Sequence, residues 1–152
     1  MQLHAAMTPR QPRIIIMRAS ILFATIAGAT AASPAYASNH AIAVGGSGLI
    51  FTPSTLTVSV GDTVTFTNAG GFHNAVADPD AVTQFRCANG CDGDGTGGSG
   101  DPSGNSWSAM VTFPTSGSVP YHCEVHGGPG GAGMSGTITV VDDAVFQADF
   151  DA

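Results

Sequence analysis

From Ser38 onwards apolar and polar residues alternate with a period of two, the signature of strands buried on one face. Leu49 and Phe51, then Leu56, Val58 and Val60, alternate with small polar residues. Pro53 interrupts that run, so the chain is expected to bend or change sheets there. Gly61-Asp62 reads as a turn. Val64 and Phe66 alternate with Thr63, Thr65 and Thr67 in a second clear strand. Ala41–Val44 is a shorter apolar piece, and Phe72–Ala77 a short extended segment. Trp107–Phe113, Val119–Cys123 and Gly136–Val141 complete the pattern. No stretch carries a helical period. Short strands between glycine and proline turns predict an antiparallel all-β sandwich or barrel, whose end loops gather residues distant in sequence.

Residues 86–105, RCANGCDGDGTGGSGDPSGN, break the alternation. They hold almost nothing to bury and read as a flexible loop insertion. Asp92, Asp94 and Thr96 have the spacing of half a calcium loop, but the closing bidentate glutamate is missing. Residues 142–152 form an acidic tail.

The start of the chain has a different character. Arg18 opens a basic end, Ile21–Ala32 is apolar, and Ala35-Tyr36-Ala37 is an A-x-A cleavage site. This order predicts a signal peptide over residues 1–37, with Met17 as an alternative start and cleavage before Ser38. The competing reading is an uncleaved anchor. The apolar run falls short of the roughly 20 residues of a comfortable span. The expected product is an exported domain, periplasmic or extracellular, with no membrane insertion after cleavage.

Cleavage transforms the charge. Arg10, Arg13 and Arg18 leave, and Arg86 alone faces all eleven acids, a formal charge of −10. Such a surface repels nucleic acid and anionic lipid, and is steered towards a basic partner. The expected molecule is a monomer.

Three cysteines are an odd number for an exported chain. Cys87 and Cys91 are spaced for a local disulfide, with a gain at the low end of the usual range because the loop is short. Cys123 is left over, and a free thiol in an oxidising compartment needs something to hold it. It lies in YHCEVHGGPGGAGM, residues 121–134. Alternation puts Tyr121 and Cys123 on one face of their strand and His122 on the other. His126 lies past the strand end. The glycines after it let the backbone return Met134 towards Cys123.

Cysteine, histidine and methionine point to a copper site of the electron-transfer type, which wants a second histidine. His40, His73 and His122 are available. His40 lies beside the cleavage point and His122 faces away, which leaves His73 best placed. Other readings are a solvent-exposed or core histidine, a core methionine, or a Cys123–His126 nucleophile pair. Structural zinc would bring paired C-x-x-C spacing, which is missing.

Three blocks resemble the small blue copper proteins, the cupredoxins, of the plastocyanin and amicyanin-like branch. They are IFTPSTLTVSVGDTVTFTN (50–68), GFHNAVAD (71–78) and YHCEVHGGPGGAGMSGTITV (121–140). The resemblance spans about Ala41 to Val141. It implies a Greek-key β-sandwich of about eight strands with one type 1 copper at one end. His73, Cys123 and His126 would be equatorial ligands and Met134 the axial one. Asn74 would tie the two ligand loops together behind them. His126 would present its ring edge to the surface. The implied function is a one-electron carrier between a donor and an acceptor protein, not an enzyme. A copper carrier without redox turnover, or a metal-free interaction module, is the alternative. The seven residues GGPGGAG between His126 and Met134 depart from the family pattern, and GGP reads as an insertion.

Overall fold

The computed structural model describes residues 36–142. The predicted leader up to residue 35 and the tail from residue 143 lie outside them. The described residues form ten strands and no helix: β1 Asn39–Gly45, β2 Phe51–Thr52, β3 Thr55–Ser59, β4 Thr63–Gly70, β5 Ala75–Ala77, β6 Arg86–Ala88, β7 Gly90–Cys91, β8 Ser108–Thr112, β9 Gly117–Gly128 and β10 Ala132–Val141. They make two sheets, ordered β2-β1-β4-β8 and β3-β10-β9-β5-β6-β7. The sandwich expected from the alternation is therefore present. Pro53 stands where predicted, between β2 of one sheet and β3 of the other.

Each sheet also contains one parallel pair, β1 with β4 and β3 with β10. The antiparallel expectation missed these. Period two shows which face of a strand is buried, but not which strand lies beside it.

The inward positions of both sheets meet in one core. Ile42, Val44, Phe51, Val64, Phe66 and Phe113 are buried, as are Val119, Tyr121, Ile138 and Val140. Tyr121 from β9 reaches across the layer, with ring centroids 4.8 Å from Phe51 and 5.4 Å from Phe66, both edge-on. Such edge-to-face pairs add about 0.5–1.5 kcal/mol each beyond burial. They fix the β9 strand two residues before Cys123.

The far end of the sandwich is closed by Asp62. Its Oδ1 accepts from the Ser38 amide at 2.7 Å; its Oδ2 accepts from the Ser59 amide at 2.9 Å and lies 2.8 Å from His40 Nε2. Burial alone would raise this carboxyl, but the bonds from Ser38, His40 and Ser59 outweigh it and hold it below the ordinary aspartate value. A depressed folded pKa contributes stability above the unfolded value, about 3.9, and loses it as pH falls through the folded one. Asp62→Asn should therefore lower the urea midpoint at neutral pH, with the gap to the parent closing as pH falls below the ordinary aspartate range. Paired urea titrations at several pH values check this.

Candidate metal centre

The register between β5 and β9 places the first two candidate residues. Val76 pairs with His122 and Ala77 with Tyr121. Two residues further along that ladder Asn74 comes beside Glu124. There the Glu124 amide donates to Asn74 Oδ1 at 3.0 Å, and Asn74 Nδ2 donates to Gly100 O at 2.9 Å and Glu124 Oε2 at 2.7 Å. Asn74 is fully buried and joins three segments.

His73 comes just before. Its amide donates to Ser103 O at 3.2 Å, and its carbonyl accepts from the Ser103 amide at 3.0 Å. The residue is 2 % exposed. It is wedged between Gly45 and Gly71, whose φ angles are +76° and +99°. A Cβ on either would lie 2.6 Å or 2.4 Å from His73 Nε2. Burial, and then the neighbouring His126, push the His73 pKa down, partly offset by a hydrogen bond to the Gly70 backbone. Nδ1 is the ring nitrogen that faces Cys123 and His126.

The other candidates come from an irregularity in the β9–β10 hairpin. His122 pairs with Ser135 and Gly127 with Gly133. Between those pairs β9 has Cys123, Glu124, Val125 and His126, while β10 has only Met134. The surplus bows out of the ladder as a large bulge, the usual way a sheet re-aims side chains. Cys123 is fully buried, Met134 is 1 % exposed and His126 is half-buried.

Cys123 Sγ is 3.7 Å from both His73 Nδ1 and His126 Nδ1, and the two imidazole nitrogens are 3.1 Å apart. All three ligand atoms lie within 4.8 Å of one another. Two imidazole nitrogens and one sulfur converging on one point are the donor set of a small, soft metal ion. They fit copper of the His₂Cys kind. His122 points the other way, as alternation predicts, with its Nδ1 2.6 Å from Asp78 Oδ1. Asp78 Oδ2 also accepts from the Gly130 amide at 2.8 Å. One buried carboxylate thus ties the strand before Cys123 to the tip of the glycine loop. His40 lies at the opposite end of β1.

The 86–105 segment differs from the loop read in the sequence. It contains β6 and β7, and Cys87, Ala88, Cys91 and Ser103 are buried. Cys87 and Cys91 form a disulfide. Arg86 binds Asp92 at 2.9 Å, Asp101 at 2.8 Å and Glu124 at 2.8 Å. These bonds raise the guanidinium pKa. The carboxylate oxygens of Asp92 are taken up by Arg86 and the Gly100 amide, and those of Asp94 by Thr96 and the Cys91 amide. The segment works as a bracket behind His73. Its structural role rests on backbone bonds and one arginine, so hydrophobic patterning did not reveal it. The lone cation among so many acids was the available signal.

Comparison with known proteins agrees with this geometry. A family model described as copper binding proteins, plastocyanin/azurin family, matches residues 38–141. The chain belongs to this family. It is 38 % identical over 116 residues to chloroplastic plastocyanin of Tetradesmus obliquus, covering 76 % of this chain and 74 % of that one. To plastocyanin of Scenedesmus fuscus it is 42 % identical over 93 residues, 60 % of this chain and 87 % of that one. A copper-containing nitrite reductase of Thermus scotoductus shares the fold at a TM-score of 0.50 and 23 % identity; the match covers 75 % of this chain but a quarter of the enzyme. This cupredoxin thus has a group of three donors suited to one copper ion, in an all-β sandwich.

The glycines around His73 give a direct test. Gly71→Ala forces a side chain into a left-handed backbone and into the imidazole. It should cost on the order of 1–3 kcal/mol and weaken copper binding at least tenfold. Gly128→Ala, in the glycine loop with nothing within 4 Å of the new methyl, should do neither. Copper titration of both variants, with urea melts, distinguishes them.

Proposed function

We propose that this cupredoxin is an exported electron carrier that takes one electron at a time from a donor protein to an acceptor. In this reading residues 1–37 are a leader removed before Ser38. His73, Cys123 and His126 would hold the copper, with Met134 as a fourth ligand, and Asn74 would steady the cysteine loop. The observation that carries it is the convergence of two imidazoles and a thiol within 4.8 Å at one end of the sandwich.

Bound copper would supply the one-electron couple. The chain's contribution is to keep the donors still. His73 is fixed by the Ser103 backbone and the two flanking glycines, and Cys123 by the β9 ladder and the Asn74–Glu124 bonds. A set of donors that shifts little between oxidation states keeps reorganisation small, whatever the source of the geometry. Burial of His73, Cys123 and Met134 excludes water from the thiolate. His126 is half-buried, so its ring edge gives electrons a route out. Phe72 and Val125, each next to a ligand histidine, are about half exposed and offer an apolar rim for brief docking. The acidic surface would favour a basic partner and make the encounter rate fall with salt.

Copper(II) added to the processed protein should give an intense visible thiolate-to-copper band that cycles with reductant and oxidant. Cys123→Ser should lose it. A colourless complex that hands copper to another protein would instead support a copper carrier.

A further inference from the structure

The Ala37–Ser38 bond lies in an exposed stretch, Tyr36 to Ser38. Cutting there leaves a chain that begins Ser38-Asn39-His40. We propose that leader removal creates a second copper(II) site at this new amino terminus. It is built from the Ser38 amine, the backbone nitrogens of Asn39 and His40, and the His40 imidazole. The inference rests on the cleavage reading above and is independent of the blue site.

The chemistry is that of a short chelating peptide. An amine at the first position and an imidazole at the third, with two backbone nitrogens between them, close small rings around one ion. Four nitrogens in a plane suit copper(II) or nickel(II). Binding releases the ammonium proton and two amide protons to solvent, and no electron moves. Before cleavage the Ser38 nitrogen is an ordinary amide within the chain, so the full set of donors exists only after export.

The structure brings the two ends of this chelate together. Ser38 N lies 2.7 Å from Asp62 Oδ1, and His40 Nε2 lies 2.8 Å from Asp62 Oδ2. The imidazole contact is the informative one. A ligating histidine commonly gives its other N–H to a carboxylate. With Nε2 on Asp62, the His40 lone pair is on Nδ1, the nitrogen nearer its own backbone and the one the chelate needs. The metal would take the amine from Asp62 and leave the imidazole contact in place. Asp62 would keep the Ser59 amide at 2.9 Å.

The backbone cost is confined to the chain end. β2 pairs with β1 only at Ala43 and Val44, so among the described residues Asn39 and His40 have β4 as their sole strand neighbour. Wrapping the terminus round an ion gives up the Thr63 N–H bond to Ser38 O and the first pairings with Thr63 and Val64. Five residue steps of strand lead from His40 to Gly45, which packs on His73. That is about 17 Å, so the terminal ion would leave the blue site undisturbed. The simpler alternative is that the new ammonium only forms an ion pair with Asp62.

The sequence contains no lysine. After processing, the Ser38 amine is the single primary amine, and cyanate blocks it alone. The experiment exports the full chain, fixes its start by intact mass, loads the blue site, and adds copper(II). The expected result is one further copper per chain with a tetragonal electron paramagnetic resonance signal and an unchanged blue band. His40→Ala and cyanate treatment should each weaken that second binding at least tenfold. A chain shown to begin at Ser38 that takes one copper only overturns the proposal, as does a second copper that survives both treatments. If the mass places the start elsewhere, the cleavage reading and this proposal fall together, while the blue-site reading stands.

Discussion

The metal end depends on the pairing of β5 with β9. That ladder sets Val76 against His122 and so carries His73 and Asn74 to the flank of Cys123. The two segments are about fifty residues apart in sequence, and neither holds a site alone. β9 is itself held by Tyr121, whose ring is locked between Phe51 and Phe66 of the opposite sheet. The core thus fixes a strand, the strand fixes a cysteine, and a buried asparagine fixes the loop that follows. Close packing resists small displacements, so the position of the thiol is set by the whole sandwich.

The β9–β10 bulge adds the other half of the geometry. Four residues facing one cannot lie flat, and the surplus turns Cys123 and His126 to the same point. The long glycine run then closes the hairpin, with Gly127 and Gly133 paired and Gly130 bound to Asp78. Residues 127–131 therefore form an ordered hairpin tip, tied to a buried carboxylate. That carboxylate also holds His122, the histidine that faces away from the site.

Much of this was legible in the residues. Alternation located the main strands, Pro53 marked the change of sheet, and the Cys-x-x-His spacing with its glycine loop picked out one end of the molecule. The parallel pairs were not legible, because inward and outward positions do not name a neighbour. Gly45 and Gly71 were not either. Their role is to leave room for the His73 ring, and a missing side chain leaves no pattern. The 86–105 segment was read as slack because it has so little to bury. It is held by Arg86, by Asp92, Asp101 and Glu124, and by backbone bonds that look the same in any sequence.

The ladders and buried hydrogen bonds imply that the protein fold, rather than the metal, sets the donor geometry. Crystal structures of the metal-free, oxidised and reduced protein test it most directly. His73 Nδ1, Cys123 Sγ and His126 Nδ1 should keep their places to within about 1 Å in all three, as expected of a preorganised site. A metal-free protein in which the Cys123–His126 bulge is rearranged, with His73 swung out from between Gly45 and Gly71, would contradict it and make copper the organiser of its own site.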